Sequence, residues 1–435
     1  MKNYYLLLLL FSQQFFSQSI HNKAKLDSAY DAFAKYDKAM FRIKVQKDGK
    51  DIYEKNVGFA DLESETVPDD NTKYRIGSVT KTFTAALIFK AIDEGKMKQT
   101  DHLSKYFPKI KNADIIDIAS LLNHTSGIQN INQSKFYDLL KYKEQPRELL
   151  LEMIYKLPSV SPPEYKYSYC NTGYIILGYI LEKIYGKTYE EVLKEKIVSP
   201  LELVNTGIGK STIQSENNEA KSYSYFVDWR KNLDTGLNNF MSAGNIVSTP
   251  TDVNKFFNAL FEGKLISEKS LIQMKNTQKG LFRYPYESKN MYGHTGSVLG
   301  FLTFALYIPE DKITICIAEN GVRYDISDIL DYVVKDLYDD KYEVPDFKRI
   351  KLTEQKLQQY IGKYKSSNSE NLLNVYLQNG KLYIQQGESL DILIEATKED
   401  HFVYDTNKIE LTFVSDKNKM IMTTRKNTYI YKKVE

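Results

Sequence analysis

The chain has 435 residues, 42% of them hydrophobic and 26% charged, and its 59 Lys and Arg against 56 Asp and Glu leave a net charge of +3. That length exceeds one small core and predicts two domains, while so small a charge gives no electrostatic footprint for a nucleic-acid partner. Only two cysteines are present, Cys170 and Cys316, too few for a disulfide framework, and they read as small buried residues.

Met1-Lys2-Asn3, an apolar run over residues 4–11 and a polar exit to residue 18 read as a secretory signal over residues 1–18, cleaved near Ser17 to Ser19. The apolar run is too short to cross a bilayer, so the mature protein is expected to be exported, to a periplasm or the medium, without a transmembrane span. An amphipathic helix follows around residues 26–38. Phe41, Ile43 and Val45 then alternate with Arg42, Lys44 and Gln46 up to Asp48-Gly49, which predicts a β-hairpin with its second strand in residues 50–60.

In Ile76-Gly77-Ser78-Val79-Thr80-Lys81, a Ser-x-x-Lys pair opens an apolar run. Its Val79, Phe83, Leu87 and Ala91 recur at helical spacing up to Gly95. Residues three apart share a helix face, so the Ser78 hydroxyl and the Lys81 amine come within reach of each other, the arrangement of a nucleophile and its base. A lysine serves as base only once its amine is neutral. The positive end of the helix macrodipole and burial against the apolar run both push that way. Alone, Ser78 would be a helix cap and Lys81 a solvated side chain. No other serine here is followed by lysine three residues on, and two further stretches agree with the pair.

A short helix is predicted over residues 114–122, ending in Leu-Leu-Asn-His124-Thr-Ser-Gly127-Ile; His124 invites a catalytic role, but beside a turn it reads first as a structural hydrogen bonder. Tyr169-Cys170-Asn171 precedes a helix that stops at Gly186. A phenol beside a lysine can relay a proton and an amide can bind a peptide-like group, unless Tyr169 is simply packed and Asn171 an N-cap. Thr188 and Glu191 make a capping box, residues 209–239 hold neither period and are expected to border a pocket, and Pro250 starts another helix. His294-Thr295-Gly296-Ser297 leads into two β-rich runs, residues 300–308 and 312–318, before a helix over 324–338. Gly296 would admit substrate close to the backbone, with the Ser297 N–H beside that of Ser78 as an oxyanion hole. A charged stretch over residues 340–352 reads as a linker, and six strand-like runs beyond it predict a small barrel or sandwich.

Taken together, Ser78-x-x-Lys81, Tyr169-x-Asn171 and His294-Thr295-Gly296 resemble, in this order, the three motifs of the serine penicillin-binding proteins and class C β-lactamases. The resemblance extends to residues 121–128 and to Ala243-Gly244-Asn245-Ile246-Val247-Ser248, covering roughly residues 40–338, and the C-terminal part looks like the β-barrel extension of some relatives. It implies an α+β fold, an antiparallel sheet flanked by helices plus a mostly helical lobe, followed by a small all-β domain. The expected units are a hydrolase domain over residues 19–340 and a barrel-like domain over 353–435. It implies a serine hydrolase working through an acyl-enzyme, with Ser78 as nucleophile, Lys81 as base and Tyr169 as proton relay. Asn171, His294, Thr295, Gly296 and Ser297 are implied to contact substrate. No metal or cofactor is implied, the partner is a small-molecule or peptide substrate, and the chain is expected to be a monomer. Many penicillin-recognising members have lysine where this chain has His294, which is mostly neutral at pH 7 and less suited to a substrate carboxylate; that leaves esters and other amides in view beside β-lactams. The rival of a different class is a penicillin-recognising or cell-wall-peptide sensor that does not turn over.

Overall fold

The computed structural model describes residues 20–225, 227–367, 370–387, 391–414 and 418–434. The segment read as a secretory signal, residues 1–18, lies outside them. Helix α1 (Lys23–Lys35) leads into the hairpin of β1 (Ala39–Lys47) and β2 (Lys50–Val57). Asp48 and Gly49 both take positive φ, 47° and 72°, the two-residue turn whose twist matches the strands it joins. Helices α2 (Thr80–Asp93), α3 (Asn171–Tyr185) and α4 (Pro250–Phe261) come next. Strands β3 (Phe282–Tyr286), β4 (Lys289–Val298), β5 (Phe301–Ile308) and β6 (Ile313–Val322) and helix α5 (Ile326–Leu337) complete this part.

These six strands form the antiparallel path β2-β1-β6-β5-β4-β3 of an eight-stranded sheet, whose two further short strands, Tyr223–Tyr225 and Trp229–Lys231, join at β6, the first of them in parallel. Its two faces bury separate cores. On one, Phe41, Ile43, Val45, Ile315 and Ile317 pack against Phe33 of α1 and Ile329 and Val333 of α5; on the other lies the helical lobe, centred on Phe83, Leu87, Tyr174, Ile180 and Phe256. The alternation in β1 suggests one wet face, yet Arg42, Lys44 and Gln46 are buried too. Helix α4 covers Lys44 and Gln46, with Asn254 Nδ2 donating to the Lys44 carbonyl and Asn258 Nδ2 to Gln46 Oε1, each at 3.0 Å, while Arg42 is held by Asn56, Glu54 and Asp70.

Several sequence signals act as expected. Thr188 and Glu191 form the capping box, Gly186 ends α3 at φ 64°, and Thr249 accepts from the Asp252 N–H ahead of Pro250. The helix expected over residues 114–122 shrinks to Ile118–Leu122, because Asp117 caps it late. Cys170 and Cys316 are free and buried.

The C-terminal strands close into a barrel of eight, from Gly362–Ser366 to Thr428–Lys433, where the sequence shows six runs. The two it hides are Ile392–Lys398, which buries only Ile394 and Ala396, and Thr428–Lys433, which buries only Tyr431. The barrel is filled by Tyr360, Val375, Ile384, Phe402, Phe413 and Met420. It is clasped to the larger part by ion pairs. Lys38 Nζ lies 2.5 Å from Asp405, Arg425 lies 2.8 Å from Asp325 and 2.6 Å from Asp328, and Arg323 pairs with Glu395. No helix among the described residues is long and apolar enough to cross a membrane.

Candidate active site

Ser78 stands in a 3₁₀ turn, Gly77–Val79, that runs directly into α2. Residues 80–89 of α2 are buried without a break, so the Lys81 side chain is sealed from water. Its Nζ lies 3.0 Å from Ser78 Oγ and donates to the Ala243 carbonyl at 2.6 Å. Among the described residues no carboxylate pairs with it, and desolvation brings its pKa down to about 7. At neutral pH a large fraction of this amine is therefore uncharged and able to accept a proton.

The carbonyl that holds the amine is itself held. Ser242, at φ 57°, donates from Oγ to the Tyr174 carbonyl at 2.9 Å, and it fits only because Gly178 has no side chain: a Cβ there would lie 2.1 Å from Ser242 Oγ. The Ile76 N–H donates to the Ile246 carbonyl, and the Ile246 N–H donates to Thr80 Oγ1. The nucleophile's turn is thus laced to the stretch of residues 243–248.

Strand β4 meets the same turn from the other side. A Cβ on Gly77, at φ 51°, would lie 2.6 Å from Ser297 N, and one on Gly296 would lie 1.9 Å from the Ile76 carbonyl oxygen and 3.0 Å from Ser78 N. Two glycines therefore let the backbone N–H groups of Ser78 and Ser297 stand side by side.

Tyr169 packs over Lys81, its ring centroid 5.0 Å from Nζ. Burial pushes its phenol pKa up, against a hydrogen bond with Ser78, so the phenol keeps its proton at neutral pH. His124 arranges this residue. Its Nδ1 accepts from the Cys170 N–H at 3.1 Å, its carbonyl accepts from the Ser168 N–H at 2.9 Å, and its ring lies 4.4 Å from that of Tyr169. Buried His124 and His294 have pKa values depressed to about 3, first by desolvation and then by Lys81, so both imidazoles are neutral.

Asn171 opens α3 without capping it; its Nδ2 donates to Asn132 Oδ1 at 2.7 Å and its Oδ1 is buried without a partner. Ser78, Asn171 and Ser297 line one cavity of about 450 Å³ with Asn132, Thr235, Leu237 and Phe240. Thr235 and Leu237 come from the irregular stretch expected to border a pocket. His294 and Thr295 are not on its wall: His294 sits behind Tyr169, ring centroids 6.3 Å apart, and Thr295 is exposed opposite Phe304 in β5. The structure therefore gathers Ser78, Lys81, Tyr169, Asn171, Gly296 and Ser297 around one point, with His294 as backing and Thr295 outside. Sequence reasoning missed Asn132, the Ala243 carbonyl and the Gly178–Ser242 contact. A backbone acceptor leaves no residue-type signal, and Asn132 makes sense only once α3 is placed beside it.

The chain belongs to the β-lactamase family, whose model matches residues 41–337. It is a serine hydrolase of that family. It is similar to the teichoic acid D-alanine hydrolase of Staphylococcus aureus (strain NCTC 8325 / PS 47), 28% identical over 288 residues, 64% of this chain and 69% of the relative. Among solved structures, the octameric penicillin-binding protein homologue from Pyrococcus abyssi matches with a TM-score of 0.67 at 25% identity, covering 93% of this chain and 99% of that one. The D-amino acid amidase from Ochrobactrum anthropi SV3 matches in fold with a TM-score of 0.65 at 22% identity, covering 72% and 99%.

Proposed function

We propose that this hydrolase cleaves a carboxylic ester or amide through an acyl-enzyme on Ser78. The observation that carries the reading is the solvent-sealed Lys81 amine, 3.0 Å from Ser78 Oγ, with its pKa lowered to about 7. Neutral Lys81 takes the Ser78 proton as Oγ attacks the substrate carbonyl carbon. The negative charge gathering on the carbonyl oxygen is met by the N–H groups of Ser78 and Ser297, donors fixed before the reaction begins. The departing oxygen or nitrogen recovers a proton by way of Tyr169, which passes one on from Lys81, and water then cleaves the acyl-enzyme by the reverse path. Tyr169 is a poor first base because its phenol is held protonated. Asn171 offers a buried amide to the substrate's own amide.

The relative named as a teichoic acid D-alanine hydrolase and the neutral residue at 294 support esters and simple amides ahead of β-lactams. We further infer export, from the charged, apolar and polar order of residues 1–18. We take the working unit to be a monomer, and light scattering against the octameric neighbour tests it. For the reaction, turnover of p-nitrophenyl butyrate is the test. Sustained release that Ser78→Ala abolishes is expected; release that survives Ser78→Ala would overturn the reading.

A further inference from the structure

The turn that joins β4 to β5 is held in a conformation its sequence does not favour. Val298 pairs with Phe301, so Leu299 and Gly300 alone make the turn, both at positive φ, 26° and 82°. Two-residue turns of this hand ask for Asn, Asp or Gly at the first position. Asp48-Gly49 and Asn379-Gly380, at the tips of two other hairpins, meet that demand. Leucine does not: its Cβ crowds the backbone at positive φ, and such a residue stays there only where its surroundings hold it.

Those surroundings are specific. Buried Ser222 donates from Oγ to the Leu299 carbonyl at 2.6 Å, and Asn232 Nδ2 reaches the same carbonyl at 3.3 Å. Asn232 Nδ2 also donates to Ser222 Oγ at 3.1 Å, which leaves the hydroxyl hydrogen of Ser222 for Leu299. The amide is fixed in turn: its Oδ1 accepts from Ser224 Oγ at 2.9 Å, and the Asn232 N–H donates to the Ser222 carbonyl. The short strands beside the pair are anchored, with Tyr223 and Ser224 alongside Gly321 and Val322 of β6 and the Tyr225 ring 3.8 Å from the Arg323 guanidinium. A Cβ on Gly300 would lie 2.0 Å from Asn232 Nδ2, so the clamp closes against bare backbone.

Leu299 follows Ser297 by two residues, and both line the cavity beside Ser78. Without the clamp, the turn relaxes towards the negative φ that leucine prefers and carries the end of β4 with it. We propose that Ser222 and Asn232 are positioning residues for the hydrolysis: from outside the cavity wall they hold the Leu299 carbonyl, and so keep the Ser297 N–H beside that of Ser78. This rests on those two N–H groups serving as the oxyanion hole of an acylated Ser78.

The test is a double-mutant cycle on the full chain with p-nitrophenyl butyrate. Ser222→Ala removes the clamp's shortest bond. Its kcat is expected to fall at least about tenfold with KM within about threefold, since the displaced donor acts mainly in the transition state. Leu299→Asn gives the turn an Asn-Gly sequence, which takes this conformation unaided. In that background Ser222→Ala should cost less than about threefold in kcat. A thermal melt shows which variants fold; if Ser222→Ala does not, Asn232→Ala, at a half-buried position, takes its place under the same criteria. A folded clamp variant with kcat within about threefold of the wild type, or a loss just as large beside Leu299→Asn, overturns the proposal. Failure of the underlying reading looks different: mass spectrometry would find no sulfonyl group on Ser78 after phenylmethylsulfonyl fluoride, whatever the cycle gives.

Discussion

Replacing Gly296 with alanine tests the side-by-side placement of the two N–H groups without touching any side chain that carries chemistry. The new Cβ would stand 1.9 Å from the Ile76 carbonyl oxygen, where ordinary contact begins at 3.4 Å, so β4 must retreat from the nucleophile's turn by about 1.5 Å. A donor displaced that far no longer reaches the developing oxyanion. Losing one such donor costs about 10²–10³ in kcat, roughly 3–4 kcal/mol. KM should change little, because the donor acts mainly in the transition state. The assay is steady-state hydrolysis of p-nitrophenyl butyrate, with a thermal melt to show that the protein remains folded. Gly207→Ala is the control, because a Cβ there has nothing within 4 Å. A folded Gly296→Ala protein that keeps kcat within threefold of the wild type would refute the reasoning.

The pH profile follows from the same geometry. Lys81 must be neutral to accept the Ser78 proton, so kcat/KM should rise about tenfold per pH unit below about 7 and flatten above it. His124 and His294, both at about 3, cannot supply that limb; a profile flat from pH 5 to 8 would contradict the assignment. His124→Phe leaves the Cys170 N–H without its acceptor. We expect about 1–3 kcal/mol less stability in urea and a kcat reduced at least tenfold with KM nearly unchanged, whereas unchanged kcat would mean that His124 does not hold Tyr169 in place. Glu319 is fully buried in β6 with both carboxylate oxygens unpartnered, and desolvation raises its pKa well above the ordinary value. Its native form holds a proton that the unfolded form releases, so stability falls as pH rises above the ordinary carboxylate range. Glu319→Leu should add about 1–3 kcal/mol at pH 8 and flatten that slope, as urea midpoints at pH 5 and 8 would show; a destabilised protein at pH 8 would argue against it.

Periodicity and punctuation made much of this fold legible. The hairpin at Asp48-Gly49, α2, α3 with its stop at Gly186, and the paired runs that became β5 and β6 all announce themselves locally. The Ser78–Lys81 pair is legible because both residues ride one helical turn. What was hidden depends on neighbours distant along the chain. The second face of β1 is covered by α4, more than 200 residues later, and Thr428–Lys433 shows one buried residue in six. His294 illustrates the limit within the site. Its motif is plain in the sequence, but whether the ring faces substrate or lies behind Tyr169 depends on how β4 packs against the helical lobe.

Lys38, one residue ahead of β1, is sealed from solvent, and the carboxylate nearest its amine belongs to the barrel, at Asp405. Replacing Asp405 with alanine, with the barrel still in place, would leave that ammonium in a dry seam without its nearest carboxylate, a loss of up to about 3–5 kcal/mol when one partner of a buried pair disappears. The barrel is thus not a passenger that evolution or an engineer can discard at will. A change at Asp405 acts first on Lys38, one residue ahead of β1, in the sheet whose strand β4 packs against the nucleophile's turn.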